Sequence, residues 1–314
     1  MSRTIALALF LAVGAHAQDK PEAQPSSLVL TASLDKAKYT LPEEMQIEVR
    51  LENSGDKEVE VNELAYEESS LTFHVAAEWA DKTKKDYVLS VTRPDPHVKG
   101  RLGPGRVALG PKKSMTLIRR FPTLAAGKFR ITAKYASGSA EVASGAVEAE
   151  VSSPAQGNKL VATVATSQQG TFSFELNPQD APVNVSNFVE LVRRGFYNDM
   201  IWHRVVSKNW IQTGCPYGLG IGGPGYTVKA ELDQASPQHD VGTVAMSNFE
   251  KTGSHGSQFF ISLARLPALD KKYTIIGKVV EMEPVQAIGR SDVDKNTDRP
   301  RTDVRITNIT IGLK

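Results

Sequence analysis

The chain has 314 residues, 37 basic and 35 acidic side chains, a formal charge of +2 and one cysteine. At roughly 100–200 residues per domain the length predicts two domains, and 40% hydrophobic with 23% charged residues excludes a wholly disordered or fibrous chain. The near-zero net charge, close to balance on both sides of Lys159, removes the field on which most nucleic-acid binders depend. Cys215, the single cysteine, cannot form an intrachain disulfide, and no Cys/His spacing fits a zinc site. Neither metal nor cofactor is expected.

The first residues read as an address. MSRTIALALFLAVGAHAQ has a basic start at Arg3, an apolar run over 5–15, and small residues at Ala15 and Ala17, the three-part form of a secretory signal. The run is too short for a bilayer, which needs about 20 residues, and no later segment is long and apolar enough to span one. The expectation is a signal peptide over 1–17 and an exported chain, periplasmic or secreted, with no membrane span. Residues 18–27, polar and Pro-containing, read as a linker.

From 28 to 151 the pattern has period two. Met45, Ile47, Val49 and Leu51 alternate with polar residues, as do Leu71, Phe73 and Val75, then Phe129, Ile131, Ala133 and Tyr135. Turn signals separate these runs, among them Asn53-Ser54-Gly55-Asp56 and Gly110-Pro111. Short strands with almost no helical period predict an antiparallel β-sandwich. The stretch YTLPEEMQIEVRLENSGDKEVEV (39–61) resembles the opening strands of immunoglobulin-like modules of exported bacterial proteins, which implies an Ig-like domain over 28–151. His74 and His97 stand alone there, without a catalytic constellation.

Residues 152–158 (SSPAQGN) read as a second linker, and from Lys159 the character changes. Strands are predicted over 159–166, 170–176, 201–206, 210–214, 242–246, 259–262, 274–280 and 303–311. Val185, Phe188, Val189 and Val192 at i, i+3, i+4, i+7, with Pro182 before and Gly195 after, predict a helix. A second, short helix is expected over 284–288. Eight strands with two helices predict a mostly β domain over 159–314, an eight-stranded closed barrel whose helices cap the ends.

ELNPQDAPVNVSNFVELVRRGFYNDMIWHRVV (175–206), GIGGPGYTVKAE (220–231), GTVAMSN (242–248) and GSQFFISL (256–263) occur in an order and spacing that resemble the cyclophilin-type peptidyl-prolyl cis-trans isomerases. The resemblance covers essentially all of 159–314. It implies an eight-stranded antiparallel barrel and rotation of X-Pro bonds in unfolded or flexible polypeptides, assisting their folding. It places the catalytic arginine at Arg204, with Gln212 positioning it and bonding the substrate backbone. Asn248 matches a position whose backbone grips the residue before proline, and Phe260 and Leu269 match walls of the proline pocket. Tyr273 implies a polar tip near the substrate carbonyl, Ser247 and Gln258 match further groove positions, and His203 lines the site beside Arg204.

An arginine suits this chemistry because the twisting amide localises a lone pair on the proline nitrogen, and a guanidinium stays charged and offers several donors in a rigid fork. No general acid or base is needed, so turnover is expected to vary little between about pH 6 and 9. Two positions depart from the family pattern H-R-V-x-P-x-F-x-x-Q, since the chain reads HRVVSKNWIQ: Ser207 stands for the proline and Asn209 for the pocket phenylalanine. Trp210 has the parity of Gln212 in an extended strand and so the same face, where it can replace the lost ring. Ala268 stands where some relatives have a groove tryptophan. A catalytically weak proline-peptide binder or assembly module is the alternative that Ser207 and Asn209 favour, and the first domain is open to an envelope protein partner. Gly218, Gly220 and Gly223 spell G-x-G-x-x-G, but Pro224 follows and no helix opens, so nucleotide binding is rejected. Cys215 with His203 lacks an oriented third partner for nucleophilic catalysis, and Met246 and Phe259 read as core.

Overall fold

Met45, Ile47, Val49 and Leu51 are buried while the residues between them are not, the pattern of a strand with one wet face. The computed structural model in which they lie describes residues 27–64, 71–90, 105–138, 140–154, 159–234, 238–248 and 254–314. The expected signal over 1–17, nearly all of the linker over 18–27, most of the linker over 152–158 and His97 lie outside the described residues. No helix among the described residues is long and apolar enough to cross a membrane.

The first half is built of β1 (Leu28–Leu34), β2 (Lys38–Thr40), β3 (Glu44–Asn53), β4 (Val59–Asn62), β5 (Thr72–Trp79), β6 (Lys84–Ser90), β7 (Arg106–Leu109), β8 (Ser114–Pro122), β9 (Gly127–Ser137), β10 (Ala140–Ala143) and β11 (Val147–Ser152). One sheet runs β1-β3-β8, a larger one runs β2-β11-β9-β5-β6 with β10 beside β9, and β4 pairs β7. Residues of the first two sheets share one apolar core, in which Ile47 and Leu51 join Phe73, Ile131 and Tyr135. The all-antiparallel expectation is corrected at one edge, where β2 and β11 run parallel. No hairpin joins these two strands, so nothing in their connection forces the antiparallel sense.

The second half holds β12 (Leu160–Thr166), β13 (Thr171–Leu176), α1 (Pro182–Arg193), β14 (Arg204–Val206), β15 (Trp210–Thr213), β16 (Val228–Lys229), β17 (Thr243–Asn248), β18 (Ser254–Ser262), a single 3-10 turn (Pro267–Leu269), β19 (Ile275–Val279), α2 (Met282–Gly289) and β20 (Ile306–Leu313). The main sheet runs β14-β15-β18-β17-β19-β13-β12-β20 and curls around a core that includes Phe174, Phe188, Trp202 and Phe259. Met246 and Phe259 are fully buried in it. The expected closed barrel is corrected: β14 and β20, at the two ends, do not pair as strands. An isolated bridge between Ile201 and Arg305 spans that seam, with the Asp199 N–H donating to the Ile306 carbonyl at 2.8 Å beside it. The reason lies in β14, whose Val205 N–H donates to the carbonyl of Asp298, 2.7 Å away in a loop, where a closing strand would have to be.

Helix α1 carries its predicted stripe of Val185, Phe188, Val189 and Val192 into the curled sheet, yet almost all its residues are buried. A helix covered on every side needs a second partner, and the first half supplies it. Val183 packs against the first-half core. Arg119 of β8 bonds Glu190 at 2.8 Å, the two side chains only 16% and 8% exposed. Arg193 donates to Glu44 at 3.0 Å and to the carbonyl of Pro42 at 2.8 Å. More than a linker therefore joins the halves. Glu190→Ala, which takes the carboxylate from a buried guanidinium, is expected to cost about 3–5 kcal/mol, whereas Arg119→Met with Glu190→Leu is expected to be close to neutral. Urea unfolding of both variants measures this, and a single variant as stable as the parent would refute it.

Candidate active site

Strand register sets the site. Arg204 on β14 pairs with Gln212 on β15, and Gln212 pairs with Phe260 on β18. In-register neighbours project to the same face, and Val205, Ile211, Phe259 and Ile261, one step out of phase, fill the core. The row Arg204–Gln212–Phe260 therefore crosses three strands on the outer face of the curled sheet.

Arg204 is half-exposed and held from two sides. Its Nε and Nη2 both donate to Oδ2 of Asp298 at 3.2 Å, and its guanidinium lies 5.5 Å from the centre of the Trp210 ring. A guanidinium has five N–H donors, and the two used here leave three. Trp210 also approaches Phe260, their ring centres 6.5 Å apart, so the tryptophan lies between the Arg204 guanidinium and the Phe260 ring. Asn209 is exposed in the turn between β14 and β15, where its N–H donates to Val206 and its carbonyl accepts from Leu263. Ser207 is exposed in the same turn.

The two glutamines orient each other in sequence. Nε2 of Gln258 donates to the carbonyls of Gly220 at 2.9 Å and Gly222 at 2.8 Å. Carbonyls only accept, so that end must be the amine and its Oε1 must face the other way. There Oε1 accepts from Nε2 of Gln212 at 2.9 Å, and the same Nε2 lies 3.3 Å from Oγ of Ser247. Oε1 of Gln212 is thereby the acceptor end of that amide.

The apolar wall is aromatic. Phe260 is buried, meets Tyr273 edge-on at 5.3 Å and stacks on His239 at 5.8 Å with 12° between the rings. Leu269 is half-buried at the end of the 3-10 turn, and the next residue, Asp270, accepts from the backbone N–H of His239 at 2.9 Å. Asp270 is also paired with Arg265, whose hydrogen bonds hold its carboxyl well below the usual range. Asn248 ends β17, and its Nδ2 lies 3.4 Å from the carbonyl of Lys272.

The structure thus brings together Arg204, Gln212, Trp210, Ser247, Gln258, Phe260 and Tyr273, with Leu269 and Asn248 carried on neighbouring segments. His203 is placed differently. It is buried, and its ring lies 3.6 Å from where a Cβ on Gly220 would sit, so it backs the glycine loop. Burial first, then the charges of Arg204 and Arg299, push its imidazole down to about 4. Its nitrogens have no hydrogen-bond partner among the described residues. His255 is also fully buried but bonded at both nitrogens: Nδ1 donates to the carbonyl of Ser247 at 3.2 Å, and Nε2 accepts from Thr274 at 2.9 Å. Burial brings it to about 4 as well. It anchors the end of β17 that carries Ser247 and Asn248.

Sequence reasoning missed Asp298 and His239. No local motif could announce either, because one meets Arg204 across 94 residues and the other stacks on Phe260 and bonds Asp270 only in the folded state. Cys215 is buried, its Sγ accepting from Gly222 N–H at 3.3 Å. No group of three or more His, Cys, Asp or Glu among the described residues is placed to hold a metal ion.

Residues 161–311 match the family model described as cyclophilin type peptidyl-prolyl cis-trans isomerase/CLD. A peptidyl-prolyl cis-trans isomerase of Helicobacter pylori (strain ATCC 700392 / 26695) is 41% identical over 130 residues, covering 41% of this chain and 78% of that protein. Peptidyl-prolyl cis-trans isomerase B of Bacillus subtilis (strain 168) is 42% identical over 124 residues, covering 39% of this chain and 85% of that protein. A crystal structure of a Cryptosporidium parvum cyclophilin type peptidyl-prolyl cis-trans isomerase aligns over 49% of this chain and 98% of its own at 30% identity, with a TM-score of 0.46.

Proposed function

The chain belongs to the cyclophilin-type peptidyl-prolyl cis-trans isomerase family, and from that membership we propose how its residues turn an X-Pro bond. The barrier to rotation is about 18–20 kcal/mol, and a rate gain of about five decades requires lowering it by roughly 7 kcal/mol. No bond breaks and no proton has to move. The proline ring rests against Phe260, Tyr273 and Leu269, with Trp210 covering the flank left open by Asn209. Arg204 aims its remaining N–H donors at the proline nitrogen, which accepts a hydrogen bond only when the amide twists. That selectivity makes the contact stronger in the transition state than in the ground state. Gln212 receives a substrate backbone N–H, the Asn248 backbone grips the residue before proline, and Asp298 keeps the guanidinium from swinging away.

The observation that carries this reading is the register that sets Arg204, Gln212 and Phe260 in one row on one face. NMR exchange on a short X-Pro peptide tests it, with Arg204→Ala beside the parent. Asn209→Phe is expected to leave kcat/KM within about twofold, because Trp210 already lies between Arg204 and Phe260; a rise of tenfold would show the pocket to be incomplete.

The wider setting is proposed on the sequence. Residues 1–17 act as an export signal, 28–151 form an immunoglobulin-like module and 159–314 the isomerase, with linkers over 18–27 and 152–158. The clients are then proline-containing unfolded or flexible segments of exported polypeptides, and the first module is open to a partner protein of the envelope.

A further inference from the structure

Among the described residues, the three most exposed large apolar side chains fall within five consecutive positions: Tyr217 at 73%, Leu219 at 65% and Ile221 at 75%. The segment CPYGLGIGGPGY over 215–226 contains no charged residue. Its alternation with glycine explains why these side chains are not tucked away. A Cβ at Gly218 would come within 2.9 Å of Ile201 Cδ1, one at Gly220 would meet the His203 ring at 3.6 Å, and one at Gly222 would come within 2.6 Å of the Tyr217 ring. The faces of Gly218 and Gly220 lie against Ile201 and His203 of the domain, both at positive φ where a side chain is disfavoured, while that of Gly222 lies against the Tyr217 ring and Cys215 Sγ. Leu219 and Ile221 between them have only the outside to face.

The loop that carries this ridge is hydrogen-bonded to a residue of the groove. The amide of Gln258 that donates to Gly220 and Gly222 is the one whose oxygen orients Gln212, so a single side chain ties the loop to the catalytic row. A solvated apolar ridge costs free energy, and patches of this kind mark binding surfaces. We propose that Tyr217, Leu219 and Ile221 form a substrate-selecting ridge that takes apolar side chains flanking the target proline on the same polypeptide. The proposal rests on the groove assigned above. It makes the enzyme prefer X-Pro bonds embedded in apolar segments, such as those exposed by an unfolded chain, over the same bond in a polar context.

Three peptides sharing one X-Pro core test this by NMR exchange: a tetrapeptide, a ten-residue peptide with Leu and Phe on both flanks, and one with Ser and Asn on both flanks. The parent is expected to favour the apolar-flanked peptide over the polar-flanked one by about tenfold in kcat/KM, mainly through KM. Leu219→Ser with Ile221→Ser is expected to bring that ratio close to one. Should the double variant fold poorly by circular dichroism, Ile221→Ser alone is expected to halve the preference or better. An unchanged ratio in a folded variant overturns the proposal. So does an unchanged ratio accompanied by a parent dimer that the variant abolishes in sedimentation, which would assign the ridge to a second copy of the chain. A parent inactive on the tetrapeptide would instead overturn the groove assignment and the ridge with it.

Discussion

Arg204→Ala is expected to lower kcat/KM on a short X-Pro peptide by about two to three orders of magnitude, the usual loss when one donor aimed at developing electron density is removed. The position is half-exposed and its side chain lies over a ring and beside one carboxylate, so the fold is expected to survive, as thermal melts would show. Arg204→Lys is expected to recover only part of the loss. A lysine ammonium is a point charge without the planar fork, so it cannot hold Asp298 with two adjacent donors and still present others to the amide. Asp298→Asn separates positioning from donation: the donor remains while its anchor weakens, so kcat is expected to fall less than in Arg204→Ala. An Arg204→Ala enzyme within twofold of the parent would falsify the assigned role.

A second large effect is loss of stability in mild acid. His203 and His255 are buried as neutral rings, and burial sets both near 4 against an ordinary value of 6.5. Below pH 6.5 the unfolded chain takes up protons that the folded one refuses, so their contribution is present above that pH and is lost as pH falls toward 4. The expected loss is on the order of 3 kcal/mol per histidine. Glu231 works against it in part, because burial raises its carboxyl in the folded state. His239 and His74, also lowered by burial, add in the same direction; urea midpoints between pH 7.5 and 4.5 measure the slope, and His203→Leu is expected to make it shallower. A flat profile over that range would rule the account out. Activity should behave differently, level between about pH 6 and 9, because the rotation proposed above uses no general acid or base.

How much of this was legible in the sequence depends on the range of the interaction. The stripe of α1 and the strands around it follow from periodicity, and structure and expectation agree on them to within a few residues. Arg204 and Gln212 were singled out through the family pattern that the chain resembles, and a hairpin turns their spacing into direct pairing. The parallel pairing of β2 with β11, the open seam beside β14 and the burial of α1 by the first half were not. Each joins segments far apart in the chain, and neither hydrophobic period nor turn residues encode such a choice. The glycine alternation over 218–222 was visible as letters, but its meaning required knowing that Ile201 and His203 lie beneath it.

The row from Arg204 to Phe260 runs across the strands, so its spacing is a ruler graduated by backbone hydrogen bonds, at about 4.8 Å per strand. Lengthening a connecting loop changes how much chain separates the cation from the greasy wall without altering the gap between them. What can detune that gap is shear between neighbouring strands, and the ladders that resist shear are the same ones that hold the domain together. Wear in the machine and wear in its frame therefore become one event.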